Sequence, residues 1–255
     1  MKAYAKANIF LKITGIDARK YHLLSSRFVL LKEFYDELEL VGKKGVCEGF
    51  ELISDFKCEN NIIKKAYDLL AKIGFENELC ELFKSKSLKL SKNIPICAGL
   101  GGGSSDCASF LMLMNESLNL KLSKEKLINL SLSLGSDVAF FLSGFESANV
   151  SGCGEIIKEF KDDLPKLNWH FPQISCLSKE VYDEFDRVEF DFEKSIKEAR
   201  IYENLSTKEL LASYENENLN DLFKPCVSLY PKMNEFLKQN FFLSGSGSSV
   251  FKVQK

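Results

Sequence analysis

Apolar and polar residues alternate from Ala3 to Thr14. Ala3, Ala5, Ala7, Ile9, Leu11 and Ile13 fall on one face, and Tyr4, Lys6, Asn8, Phe10 and Lys12 on the other. A period of two predicts a strand with one face on a core. Gly15 ends it, and Lys6 and Asn8 point together from the second face. Residues 27–31 and 36–41 predict further strands, followed by a turn at 42–45 that carries two lysines. The spacing of Ile62, Ala66, Leu69, Leu70 and Ile73 predicts a helix over 62–73, capped by Asn60 or Asn61. Residues 87–91 alternate again. Residues 104–117 are apolar nearly all round, which predicts a buried helix. Ser123 opens another that Gly135 stops, and Ser136-Asp137 starts a short one. Residues 147–160 predict a hairpin around Ser151–Gly154. Strands near 169–176 and 241–253 then alternate with helices near 192–201, 206–213 and 229–239. This order predicts an α+β fold in two halves, 1–155 and 156–255.

The densest local signal is PICAGLGGGSSD at 95–106. Gly99, Gly101, Gly102 and Gly103 concentrate there in a chain with 15 glycines, and Ser104 and Ser105 lead into the buried helix. A tight turn needs one or two glycines. Four of them before a helix point to a phosphate loop, because the first helical N–H groups lack internal partners and glycines let a ligand approach the backbone. No lysine follows, so the loop is not of the G-x-x-x-x-G-K-[ST] kind. The G-x-G-x-x-G register fails at Ser104 and at Asp106.

Composition narrows the function classes. The chain has 255 residues, 45% of them hydrophobic, and a formal net charge of −2, so no strong field draws it to nucleic acid or anionic membranes. Its acidic pI and lack of a basic stripe disfavour a nucleic-acid-binding module. The N-terminal stretch carries Lys2, Lys6 and Lys12, which fits neither a signal peptide nor a spanning helix. Eight cysteines occur without any C-x-x-C pair, and only two histidines, which argues against a zinc site. Reduced, mostly buried thiols in a cytoplasmic protein are expected.

The glycine stretch resembles the second motif of the GHMP kinase superfamily, the kinases of galactose, homoserine and mevalonate. Within it, GLGGGSSD is most similar to the branch whose acceptor is a cytidine diphosphate conjugate of methylerythritol. AKANIFLKITG resembles that branch's first motif, KYHLL its tyrosine-histidine segment, and ENNIIKKA an asparagine-capped helix beside the nucleotide. LGSDVAFFLSG resembles the segment with the catalytic aspartate, and LSGSGSSVFKV the C-terminal glycine motif. The chain departs from the pattern at Arg19-Lys20, where Asp-Gly is usual, and at Ala139, where proline is usual.

The resemblance implies a two-domain fold, with a ribosomal-protein-like N-terminal half that binds ATP, a ferredoxin-like C-terminal half and the active site in the cleft between them. It implies ATP and Mg2+ as cofactors and phosphorylation of the conjugate at carbon 2 of its methylerythritol part, in the non-mevalonate route to isoprenoid precursors. Asp137 would be the base, in the first turn of its helix where the dipole keeps it ionised, and Lys6 would steady the transferring phosphoryl group. Pro95, Ile96, Cys97, Ala98, Gly99, Leu100, Gly101, Gly102, Gly103, Ser104, Ser105 and Asn61 would hold the nucleotide. Asn8 would hydrogen-bond the acceptor, Tyr21 stack on its cytosine and His22 read the base edge. Ser178, Gly245 and Ser246 would line the sugar and phosphate. No protein side chain is assigned as a resident metal ligand. A small-molecule partner is implied, with the chain a monomer or homodimer. The alternatives are another GHMP kinase, for mevalonate or homoserine, and a non-catalytic nucleotide-binding regulator.

Overall fold

The computed structural model describes residues 1–44, 49–56 and 61–254. Asn60, Gly45, Cys47 and Cys58 lie outside the described residues. In chain order the elements are β1 (Lys2–Ile16), β2 (His22–Gly42), β3 (Leu52–Ser54), α1 (Ile62–Leu70), α2 (Glu76–Ser85), β4 (Lys86–Ser91), α3 (Gly102–Ser117), α4 (Lys124–Ser131), α5 (Val138–Ser143), β5 (Ser147–Gly152), β6 (Ile156–Glu159), β7 (Leu167–His170), α6 (Ser178–Phe185), α7 (Phe192–Tyr202), α8 (Thr207–Ser213), α9 (Asn216–Leu219), α10 (Phe223–Leu229), α11 (Asn234–Leu237), β8 (Phe242–Leu243) and β9 (Val250–Val253). The mixture of helix and sheet is the expected α+β class.

By contact the chain forms two compact units. The first comprises Met1–Ala5, Leu31–Ile94 and Gly102–Gly144, and the second Lys6–Leu30, Pro95–Gly101 and the chain from Phe145 onward. In the first unit, the later part of β2 pairs antiparallel with β4, Leu38 opposite Leu90, and β3 adds parallel to β4. Helices α1 and α3 bury Ile63, Ala66, Leu70, Phe110, Leu111 and Met114 with Leu38 and Leu88 of the strands. Asn61 caps α1, its side chain accepting from the Ile63 N–H at 2.8 Å, and Ser123 caps α4 in the same way. α1 stops at Leu70 rather than 73, where a wider turn at Ala71–Phe75 ends in the left-handed Gly74 (φ 110°).

In the second unit, the early part of β2 pairs with β5, Phe28 opposite Ala148, and β6 follows as the hairpin partner of β5. β9 pairs antiparallel with β7 and β8. Leu11 and Ile13 of β1 pack with Val181, Phe185, Leu222, Cys226 and Val250. Arg27 is fully buried and crosslinks this unit. It donates to Asn149 Oδ1 at 2.9 Å and to the Glu203 carbonyl at 3.0 Å, with its guanidinium 3.5 Å from the Phe160 ring. Burial pushes its pKa down to about 10, so it stays charged at neutral pH.

Three further expectations change. The strands expected at 27–31 and 36–41 are one strand of 21 residues. β1 is buried on both faces, not one: Lys6, Asn8, Phe10 and Lys12 are as inaccessible as the alanines opposite them, since Tyr202 packs on Phe10 and Asp221 pairs with Lys12. The helix expected over 229–239 is broken, with a 3-10 turn at Pro231–Met233 before α11. The six described cysteines are free. Cys107, Cys176 and Cys226 are buried, whereas Cys80 and Cys97 are exposed.

Candidate active site

Four segments of the second unit, β1, β2, the glycine loop and the loop between β8 and β9, meet around Lys6 and Asn8. β1 supplies Lys6 and Asn8. The Lys6 backbone N–H donates to the Leu100 carbonyl at 2.9 Å, which ties the strand to the glycine loop. Lys6 Nζ donates to Asn8 Oδ1 at 2.7 Å and stands 4.4 Å from the Phe28 ring centre. Asn8 Nδ2 donates to Ser26 Oγ at 2.9 Å, and Ser26 passes the chain on to the Phe10 carbonyl. The Asn8 side chain is therefore committed to Lys6 and Ser26, and it aims a buried ammonium.

The loop between β8 and β9, residues 244–249, closes on the same place. The Asn8 N–H donates to Ser244 Oγ at 3.1 Å, and the Ser249 N–H to the Ala98 carbonyl at 3.1 Å. This explains part of the glycine concentration. A β-carbon on Gly99, already left-handed at φ 74°, would stand 2.7 Å from the Ser244 carbonyl oxygen and 2.9 Å from that of Gly247. Gly99 is therefore a packing glycine, which lets two loops meet backbone to backbone. Pro95 and Gly99 are half-buried, Ala98 and Leu100 buried, and Ile96 and Cys97 exposed at the tip.

Ser246 Oγ and Ser178 Oγ are 2.7 Å apart, which joins this loop to the start of α6. One and two turns further along α6 lie Tyr182, Phe185 and the adjoining Asp186. His22 Nε2 is 2.7 Å from Asp186 Oδ1, and the His22 ring lies 4.8 Å from that of Tyr182 and 5.7 Å from that of Phe185. Tyr21 is exposed, with the Arg19 guanidinium 5.3 Å from its ring centre. Sequence reasoning missed Tyr182, Phe185 and Asp186. Their signal is the 3–4 residue spacing that puts Tyr182, Phe185 and the buried Val181 along one side of a helix.

The turn between β1 and β2 shows how Arg19-Lys20 is accommodated. Asp17 Oδ1 accepts from the N–H groups of Arg19 and Tyr21, both at 2.9 Å, and Asp17 Oδ2 takes the Arg19 Nε at 2.8 Å. These bonds, led by that from the Tyr21 N–H, hold the Asp17 carboxyl below its ordinary value despite burial. Lys20 takes the left-handed conformation at φ 66°, which a glycine adopts without strain. The Asx turn keeps Tyr21 and His22 at the head of β2 all the same.

The first unit holds the other candidates. Gly103, the second residue of α3, is exposed, and a β-carbon on it would meet only Ile62 Cγ2, at 4.0 Å. Its face is open, as a phosphate approach requires. Ser104 is half-buried and lies beside Gly135, whose added β-carbon would be 3.7 Å from Ser104 Oγ and 3.4 Å from Ile62 Cδ1. Asn61, Gly103, Ser104 and Gly135 are thus neighbours, with Asp137 two residues beyond Gly135. Asn61 spends its side-chain oxygen on the α1 cap. Asp137 stands at the N-cap of α5 without using its carboxylate to cap it. Ser105 is buried.

Beneath the loop, Lys92 bridges two carboxylates that sequence reasoning did not single out. Its Nζ pairs with Asp36 and, at 2.8 Å, with Asp106 Oδ2, while Asp36 Oδ1 accepts from the Ile94 N–H at 2.8 Å. Asp106 Oδ1 is buried with no partner among the described residues. Burial pushes the Asp106 carboxyl up to about 7 against the pull of Lys92. Burial opposes the Lys92 charge, but its two carboxylates hold it above the ordinary lysine value. Elsewhere in the second unit a cavity of about 490 Å³ opens behind Lys12 and Asp221; Phe185 lies in its wall, and none of the site residues expected from the sequence does.

Residues 61–145 match the model of the GHMP kinases N terminal domain, which spans α1, the glycine loop and Asp137. The chain is 70% identical to a 4-diphosphocytidyl-2-C-methyl-D-erythritol kinase of Campylobacter jejuni, over the full length of both. It is 41% identical to one of Sulfurimonas denitrificans, over 100% of this chain and 96% of the relative. A crystal structure of 4-(cytidine 5'-diphospho)-2C-methyl-D-erythritol kinase superposes with a TM-score of 0.70 at 24% identity, covering 100% of this chain and 90% of that one, which extends the likeness to the fold. The chain belongs to the 4-diphosphocytidyl-2-C-methyl-D-erythritol kinase family of the GHMP kinases.

Proposed function

We propose that the chain transfers the terminal phosphoryl group of ATP to the hydroxyl at carbon 2 of 4-diphosphocytidyl-2-C-methyl-D-erythritol, in the methylerythritol phosphate route to isoprenoid precursors. The observation that carries the reading is the 70% identity, over both full lengths, to proteins named for that kinase activity. In this reading residues 1–155 are the ATP-binding domain and 156–255 its C-terminal partner.

Asp137 accepts the proton of the acceptor hydroxyl as its oxygen attacks the terminal phosphorus, and the bond to the bridging oxygen breaks to leave ADP. Lys6, aimed by Asn8, stabilises the charge on the transferring group. Residues 95–105 and the first turn of α3 hold the phosphates, supported by the open backbone at Gly103. Asn61 braces the neighbouring helix start. Mg2+ would neutralise phosphate charge when bound with the nucleotide, and the half-buried Ser104 hydroxyl would meet a phosphate oxygen or one of the ion's waters. Tyr21 and Tyr182 supply flat faces for a cytosine, and His22, steadied by Asp186, reads its edge. Gly245, Ser246 and Ser178 line the acceptor.

Among the described residues no helix is long and apolar enough to cross a membrane. The reading implies a cytoplasmic enzyme on small molecules, monomeric or dimeric, with neither nucleic acid nor membrane as partner. ADP release with ATP, Mg2+ and one acceptor at a time tests it. Turnover is expected with the cytidyl substrate and not with mevalonate or homoserine. Nucleotide binding without turnover on any acceptor would replace the kinase by a regulator.

A further inference from the structure

The segment LNDL at 219–222 holds both the loop between β8 and β9 and the strand β1. Asn220 is 2% exposed. Its Nδ2 donates to the carbonyls of Leu243 at 3.1 Å and Gly245 at 2.9 Å, and its Oδ1 accepts from the Leu222 N–H at 2.9 Å. Both amide protons are thus spent on the loop that contacts Asn8 and Ser178. The next residue holds the strand that carries Lys6. The Asp221 N–H donates to the Leu11 carbonyl at 2.9 Å, and Asp221 Oδ2 accepts from the Ile13 N–H at 2.7 Å. Asp221 Oδ1 pairs with the buried Lys12, which also reaches the Asn218 carbonyl at 3.1 Å and Glu198 at 2.8 Å.

We propose that Asn220 is a positioning residue for phosphoryl transfer, which acts by fixing the peptide planes of the 243–246 loop against the strand that bears Lys6 and Asn8. A trans peptide points its N–H opposite to its carbonyl. Holding the Gly245 carbonyl on Asn220 turns the Ser246 N–H away from Asn220, and that N–H donates to no carbonyl among the described residues. It is the donor that meets an oxygen of the acceptor or of the transferring phosphate. Holding the Leu243 carbonyl sets the plane that leads into Ser244, whose hydroxyl takes the Asn8 N–H. Fixed donors of this kind contribute to rate because they need no reorganisation as charge develops.

The inference rests on the kinase reading, so wild-type turnover with the cytidyl substrate is the control for that reading. In an enzyme that passes it, Asn220→Ala and Asn220→Ser are compared with wild type by kcat, acceptor KM and the number of cytidyl-substrate sites per chain. The expected result is a kcat lowered roughly 10- to 100-fold in Asn220→Ala, with acceptor KM within about threefold because Tyr21, His22 and Tyr182 are untouched. Asn220→Ser, which keeps one donor, falls in between. A merely structural role would instead lower the number of binding-competent sites and leave kcat per site at the wild-type value, which would overturn the proposal. If Asn220→Ala does not fold, Asn220→Ser decides alone: wild-type kcat per site refutes the proposal, and a lowered kcat at unchanged KM supports it.

Discussion

The two ends of the glycine loop use the same residue for opposite reasons. At Gly99 the missing β-carbon is filled by other backbone, with the Ser244 and Gly247 carbonyls within 3 Å of where it would stand. At Gly103 the missing β-carbon leaves open space at the start of a 16-residue helix, with Ile62 at 4.0 Å. The first glycine is a joint between loops, and the second leaves the start of the helix open. A run of glycines in a sequence therefore says that something approaches closely, and at Gly99 the structure shows that it is other backbone.

Substitution should separate the two. Gly99→Ala meets two carbonyls and a left-handed φ together, so a loss of about 4 kcal/mol or more in denaturant unfolding is expected. A loss under about 1 kcal/mol would mean that the loops do not rely on this contact. Asp106, under the helix end of the loop, predicts the next largest effect. Its folded pKa, pushed up to about 7, lies above the unfolded value near 3.8. The folded state then binds more protons than the unfolded chain between these values, so its contribution to stability falls as pH rises from about 4 to 7 and is level above. The stability of Asp106→Asn relative to wild type should climb by about 3 kcal/mol across that window, measured by urea unfolding at each pH. A flat difference would remove Asp106 as the titrating group. Gly103→Ala should change stability by less than about 1 kcal/mol, since alanine suits a helix, while raising KM for ATP roughly tenfold by closing the open helix start. The smallest effect is at Lys20, where glycine relieves the left-handed backbone: Lys20→Gly should gain about 1 kcal/mol in thermal unfolding.

Much of this architecture is readable from local pattern. The β1 alternation, the Asn61 and Ser123 caps and the short helix after Asp137 need only a few neighbouring residues. What was not readable depends on distant partners. Lys6, Asn8 and Lys12 look like a solvated strand face until Ser26, Ser244 and Asp221 cover them from 18 to 236 residues away. β2 reads as two strands because its pairing changes along its length, from β5 at residues 24–29 to β4 at 37–42, and the apolar pattern follows the partner. α6, which carries Tyr182, begins after Leu177 without a capping side chain, so the usual start signal is missing. The loop stands out in the sequence because glycines are rare in this chain. The division of labour among them does not, because it is set by residues 244–247.

In the proposed transfer, Asp137 is the group that takes the acceptor's proton. Single-turnover phosphoryl transfer by Asp137→Asn, with ATP, Mg2+ and the cytidyl substrate all saturating, isolates the chemical step. The expected rate is lowered by about a thousandfold or more, with affinity for both substrates within about threefold of wild type, if proton acceptance alone is removed. A variant that binds both substrates and transfers phosphate at the wild-type rate would contradict the assignment of Asp137 as the base.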